Sequence, residues 1–361
     1  MQKAMMSMRQ NICIMVLFLV GSSAIMGGSW GVGQDAWIAL LIALGFGSII
    51  VLVYARIIHL YPEMDLCDIA QAVFGKIIGK VIIVLMSWYA IHLGVILLRL
   101  LSEFINIVAL QETPQLPMMI IILAVTGYIA FSGIETLGRL AIIALPLYLF
   151  INLYTMTLSV TDIKFSNLLP IMEHSFNALL MASLKIFTTT FAGTVIFLFF
   201  ADGVKKKNNP YKIYLYSIFI SALLLLAIFF LSVMVLGVPM LEKEYFPFYT
   251  AVRTINMGEF LSRIELMIFY NFLLGSIVKI SVCLLAAEKG LQKVFNIKNK
   301  GQVLAIVSFF ILIVGMFEFD SVIEIFNFTE FYQYYVLPFQ IVIPILLWIG
   351  AEMKMGRRRS R

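Results

Sequence analysis

Apolar runs of about twenty residues recur along the whole chain, near residues 11–30, 36–58, 80–107, 117–132, 138–160, 184–203, 212–237, 263–287, 302–318 and 330–351. A helix of that length crosses a hydrocarbon core about 30 Å thick. Backbone amides and carbonyls find no water there, so each segment must satisfy its own hydrogen bonds. The chain is therefore expected to be an all-α integral membrane protein with about ten transmembrane helices. Composition agrees: 62% of the residues are apolar, 13% are charged and the mean hydropathy is +1.00, which places a 361-residue chain in one membrane bundle rather than in two or three soluble domains.

Charge placement sets the orientation. If the N-terminus starts in the cytoplasm, the inner loops and the two ends collect nineteen of the 26 Lys and Arg residues, among them Lys3, Arg9, Lys205, Lys289 and Arg357. The outer loops keep Lys164, Lys185, Lys243, Arg253 and Arg263, and the stretch from Glu318 to Glu330 carries acids and no base. The positive-inside rule then predicts both termini in the cytoplasm, with a basic tail over 352–361. It also accounts for the net charge of +6 without a nucleic-acid partner. The outer segments 161–183 and 238–262 mix apolar and polar residues and predict short amphipathic helices on the surface.

Other functional classes are poorly supported. Cys13, Cys67 and Cys283 show no metal-binding spacing, so neither a zinc site nor a structural disulfide is expected. The phosphate-binding loop, the HExxH motif, the GxSxG elbow and paired membrane carboxylates are all missing, so no enzyme and no cofactor is expected.

Two polar interruptions fall inside apolar runs. Gly21, Ser22 and Ser23 precede Gly27, Gly28 and Ser29 in span one, and Thr188, Thr189, Thr190, Phe191, Ala192, Gly193 and Thr194 fill the middle of span six. These spans are equivalent if the bundle has two five-helix halves, about 11–160 and 184–351. In inverted-repeat transporters, broken helices at such places expose amides and carbonyls to a substrate. Small residues also pack helices together without any ligand.

Membrane charges cost about 2.5–3.5 kcal/mol each on insertion scales, so each needs a reason. Arg99 stands one turn from Glu103, a spacing suited to a structural ion pair. Lys279, followed by Ser281 in span eight, either snorkels to the headgroups or fills a cavity beside span one as an ion- or proton-coupling group. His92 in span three is open to packing or proton relay.

Several strings together resemble the B subunits of spore germinant receptors, the GerAB-type spore germination proteins of the amino acid–polyamine–organocation superfamily. They are Asp35-Ala36-Trp37-Ile38, Tyr61-Pro62, Gly75-Lys76, Gly79-Lys80, Leu110-Gln111-Glu112-Thr113-Pro114, Gly133-Ile134-Glu135 with Arg139, Asn167-Leu168-Leu169-Pro170, Arg263-Ile264-Glu265 and Lys279-Ile280-Ser281. Their order and spacing extend along nearly the whole chain. The resemblance implies a five-plus-five inverted repeat with broken helices one and six, a bacterial spore inner membrane, and assembly with an A subunit and a lipoprotein C subunit. It also implies a small-molecule germinant, often an amino acid, bound around Gly21, Ser22 and Ser23 and the facing Thr190, Phe191, Ala192 and Gly193. Lys279 then lies near the ion position of sodium-coupled relatives. Many members carry an acid soon after the span-six phenylalanine, where this chain has Ala192, Gly193 and Thr194. A proton-coupled amino-acid transporter, a water or ion conduit opened by partner subunits, and a scaffold are the alternative readings.

Overall fold

A computed structural model describes residues 5–26, 30–205, 208–254 and 265–359. Gly27, Gly28, Ser29, Arg263 and Ile264 lie outside the described residues, as do Lys3, Lys206, Lys207 and Arg361. Among those described, nine helical segments are long and apolar enough to cross a membrane, and a shorter apolar helix precedes them. The protein is a multi-pass membrane protein.

The helices are α1 (Met8–Met26), α2 (Ala36–Leu60), α3 (Leu66–Val108), α4 (Gln115–Ser132) and α5 (Ile134–Leu158) in the first half. The second half holds α6 (Phe176–Ile186), α7 (Pro210–Leu236), α8 (Val238–Leu241), α9 (Pro247–Arg253), α10 (Glu265–Phe295), α11 (Lys300–Phe317), α12 (Val322–Tyr335) and α13 (Ile343–Arg359). Span six joins α6 to the tightened and widened turns that follow it, ending at Gly203, and span ten joins α12 to α13. Five crossings reverse the sense of the chain, so the second half enters the membrane upside down relative to the first.

Helix starts follow local chemistry. Asp65, Ser175, Asn209 and Asn299 each cap the next helix by accepting a backbone N–H that has no helical partner. Helix α3 starts fourteen residues before the apolar run does. Gly75 separates this added piece from the span with φ of +82°, a conformation that glycine adopts at no steric cost. Span six likewise starts at Phe176 rather than at 184, because Ser175 caps an amphipathic first stretch that the apolar criterion overlooks. The segment expected to lie on the surface up to residue 183 is therefore partly the top of span six, and the short helices α8 and α9 form in the second such segment.

The centre of the bundle is α1 and span six. Ile14 to Val20 and Val195 to Ala201 are buried throughout, and α2, α3, α7 and α10 pack around them. A helix that is apolar on every side belongs in such a place.

Candidate functional site

Helix α1 comes very close to α10 at Gly21. A Cβ built on Gly21 would lie 2.7 Å from the Gly275 carbonyl carbon, and one built on Gly275 would lie 2.4 Å from the Gly21 Cα. Glycines let the backbones touch. The interruption expected at Gly21, Ser22 and Ser23 is therefore not an unwinding: α1 stays helical through these residues to Met26. Gly21 faces its partner helix rather than a ligand.

Span six does lose its regular helix. Its Phe187–Phe191 stretch is a wide π turn and its Ala192–Gly203 stretch is a tight 3₁₀ helix. The threonines give the local reason. Thr188 Oγ1 donates to the Leu184 carbonyl at 2.9 Å, Thr189 Oγ1 to Lys185 at 2.7 Å and Thr194 Oγ1 to Phe191 at 2.8 Å. Hydroxyls that take backbone carbonyls compete with the α-helical ladder.

The close approach of α1 and α10 brings polar groups together. Lys279 Nζ donates to Ser22 Oγ at 2.7 Å and sits 5.1 Å from the centre of the Phe18 ring. Thr190 Oγ1 donates to Ser23 Oγ at 3.0 Å. Ser22, Ser23, Thr190 and Lys279 are at most 7% exposed, and they line the floor of a cavity of about 410 Å³. Leu93, Ile96, Leu97 and Leu100 of α3 form one wall, and Ile325, Phe328 and Tyr332 of α12 form another. The rim carries Lys185, Glu242, Glu244 and Glu330, with Trp30 beside them. Lys185 pairs with Glu330, so α6 and α12 are tied together across the mouth. A volume of this size suits a small molecule, held by an apolar wall and a few convergent polar groups.

The remaining residues singled out from the sequence lie elsewhere. The Phe191 ring packs on Gly47, the Ala192 carbonyl accepts from the Tyr54 hydroxyl at 3.2 Å, and Gly193 faces the Phe18 ring and the Tyr89 hydroxyl. Ser281 points away from Lys279 and donates to the Thr126 carbonyl at 3.3 Å. Arg99 pairs with Glu103 at 2.7 Å and donates to the Asp320 carbonyl at 3.1 Å, which joins α3 to the start of the α12 segment. His92 Nε2 lies 2.6 Å from Glu318 Oε1 under the stacked Trp88 ring.

Sequence reasoning missed Gln340. Its Nε2 donates to the Thr188 carbonyl at 2.8 Å and to the Tyr89 hydroxyl at 2.9 Å, and its backbone carbonyl accepts from the Tyr54 hydroxyl at 2.5 Å. One fully buried side-chain amide on span ten thus braces the π turn of span six against span three, while the backbone beside it is tied to span two. The signal was present: Gln340 is a lone amide in an apolar run, two residues after Pro338, where a second π turn forms. Also missed was the acidic rim, whose glutamates come from two separate segments, the stretch after α8 and α12.

At the face that holds the termini the cavity is shut. Lys289 bridges Asp202 at 2.7 Å and Asp65 at 3.1 Å, and Lys293 meets Asp68 at 2.5 Å. Met6 is buried beside them, with its amide bonded to the Gly203 carbonyl at 2.9 Å.

The chain is similar to known proteins along its whole length. The family pattern described as "Spore germination protein" matches residues 5–323. Spore germination protein KB of Bacillus subtilis (strain 168) is 27% identical over 375 residues, covering 100% of this chain and 98% of its own length. Spore germination protein XB of Bacillus anthracis is 20% identical, covering 89% and 91%, and GerQB of Bacillus cereus is 24% identical, covering 79% and 78%. Among solved structures, MhsT in complex with L-phenylalanine superposes with a TM-score of 0.68 at 15% identity over 99% of this chain and 90% of its own. Mhp1, a nucleobase-cation-symport-1 family transporter in a closed conformation with bromovinylhydantoin bound, gives 0.68 at 14% over 94% and 77%. At these identities the two structures establish the fold: this is the inverted-repeat transporter architecture.

Proposed function

This chain belongs to the spore germination protein family, and from that premise we propose that it is the transporter-like B subunit of a nutrient-germinant receptor. Its cavity binds a small molecule, an amino acid, and the bound bundle passes its change of state to an A and a C subunit in the spore inner membrane. The termini face is cytoplasmic and the cavity opens outward, a reading that the distribution of basic residues supports.

One observation carries this reading: Ser22, Ser23, Thr190 and Lys279, from three different spans, converge on the floor of one cavity. The ligand shifts the equilibrium only as far as it prefers one state, so the binding contacts must change when the bundle rearranges. Contacts among α1, span six and α10 are well placed for this, since span six and α10 also carry Asp202 and Lys289, which pair at the other face.

The test is a titration of an amino-acid panel against the purified full chain in nanodiscs. Saturable binding is expected, weakened about 2- to 10-fold by Thr190→Val, the range that follows from losing one ordinary hydrogen bond, with thermal stability retained. Failure of every amino acid to bind would sink the proposal. A second reading, a transporter that completes alternating access, rests on the shared fold and requires the cytoplasmic ion pairs to part in each cycle. Amino-acid uptake by vesicles containing this chain alone would establish it.

A further inference from the structure

We infer that Lys279 holds the ligand's carboxylate, and that the glutamates of the mouth admit this anion only when the ligand also carries a positive charge, so that the cavity selects zwitterions with an apolar side chain. The inference rests on the cavity being the binding site.

The two fully buried bases among the described residues make the case by contrast. Arg99 has Glu103 at 2.7 Å, and its charge is balanced by the protein. Lys279 is 2% exposed and has no carboxylate within 4.0 Å among the described residues. Its one acceptor there is Ser22 Oγ, although an ammonium carries three donors. A buried charge left without a counter-ion is costly. Because this ammonium lines the cavity, an anion arriving from the cavity completes it.

At the mouth the balance has the opposite sign. Lys185 is used by Glu330, which leaves Glu242 and Glu244 with no base against them among the described residues. Glu244 is engaged by the Thr250 hydroxyl at 2.9 Å, a neutral donor that leaves its charge in place. A cleft rimmed by one sign of charge focuses that field on whatever enters. A simple carboxylate is repelled at the mouth and a simple amine finds no counter-ion at the floor.

The two charged regions act at different stages. Lys279 is the fifteenth residue of α10, so about 21 Å of helix separate it from the outer start of that helix at Glu265. Glu242 is exposed at the mouth whereas Lys279 is buried at the floor, so an entering ligand meets the two in turn. The rim therefore governs the association rate, and Lys279 governs the residence of the bound ligand. Between them the side chain meets Leu93, Ile96, Leu97, Leu100 and Ile325, an aliphatic wall with no charge to satisfy.

The experiment compares three probes of one shape on the wild-type chain in nanodiscs: L-leucine, 3-methylbutylamine, which lacks the carboxylate, and 4-methylpentanoate, which lacks the ammonium. L-leucine is expected to bind, and both analogues to bind at least about 10-fold more weakly, as loss of a charge-assisted contact implies. Lys279→Met lowers the L-leucine affinity by about 10- to 100-fold on the same basis and leaves the amine unchanged. Glu242→Gln combined with Glu244→Gln strengthens 4-methylpentanoate and flattens the salt dependence of its association. An amine that competes as well as L-leucine overturns the inference on wild-type protein alone, so it remains decidable even if Lys279→Met does not fold. Binding of other amino acids but not L-leucine overturns the assignment of the apolar wall while the proposed function stands. Binding by no amino acid overturns that function and this inference with it.

Discussion

Spans one and six hold equivalent places in the two halves of the bundle, and both bring hydroxyls to the same cavity, but by opposite use of the backbone. Helix α1 keeps its regular turns through Gly21, Ser22 and Ser23 and uses the missing glycine side chain to lie against Gly275. Span six gives up regular turns over residues 187–203 and lets its threonines take the freed carbonyls. A glycine beside serines therefore served close approach, whereas a run of threonines served irregularity. Similar-looking polar strings in apolar spans are separated by which atom the string removes or adds: a Cβ in one case, a hydroxyl competing for the backbone in the other.

The largest effect is expected where this difference is sharpest. Gly21→Leu drives a branched side chain into the Gly275 backbone, where nothing flexible can yield. Overpacking of a tight contact costs about 1–3 kcal/mol and occasionally more, and here backbone atoms set the limit. Loss of the monodisperse folded chain, or a fall of its thermal midpoint in detergent, is the expected outcome. Gly193→Ala makes the contrast, since its new Cβ would stand 3.6 Å from the Phe18 ring and the Tyr89 hydroxyl, an ordinary separation. A normal midpoint for Gly21→Leu would show that α1 and α10 do not pack as described.

Gln340→Leu tests whether the irregular turns of span six need an outside brace. It removes both donors, to the Thr188 carbonyl and to the Tyr89 hydroxyl, and strands a buried carbonyl. The cost of an orphaned buried acceptor is about 1–3 kcal/mol. Hydrogen exchange should rise over 187–191 while α1 stays protected. Equal loss of protection in both spans would erase the distinction between them.

The legibility of this molecule follows the same physics. Ten apolar runs, the reversal after the fifth and the two polar strings are all properties of contiguous sequence, and among the described residues the runs correspond to nine spans and the shorter helix α1. The floor of the cavity was legible as residue types, because Ser22, Ser23, Thr190 and Lys279 are rare polar groups in apolar surroundings. Facing was not legible. Ser281 and Lys279 differ by two residues, about 200° around a helix at 3.6 residues per turn, and no composition rule says which of them meets a cavity. Nor does a single chain segment reveal the rim, which assembles from α6, α12 and the loop after α8. The chain around two of the family strings, Asp35-Ala36-Trp37-Ile38 and Asn167-Leu168-Leu169-Pro170, is joined. Asp35 accepts the amides of Met172 and Glu173 at 2.7 and 2.9 Å, and Gln34 donates to the Pro170 carbonyl at 2.7 Å, which fastens the linker before span six onto the start of α2.

The smallest effect is expected at Ser281. It stands beside Lys279 in sequence, and it would matter to coupling only if both faced α1. Its hydroxyl instead reaches the Thr126 carbonyl of α4 at 3.3 Å, a long contact to an oxygen that lies within a helix. Loss of so weak a bond falls within the ±0.5 kcal/mol or so that separates most mild substitutions from wild type. Ser281→Ala should leave both the thermal midpoint and the affinity for L-leucine within error, whereas Ser22→Ala, which removes the only protein acceptor of the Lys279 ammonium among the described residues, should alter the affinity. A tenfold loss of affinity in Ser281→Ala would mean that α10 presents a different face to α1. The pairing of Gly21 with Gly275 could not survive that rotation, because glycine 275 and lysine 279 share one face of the helix at a spacing of four.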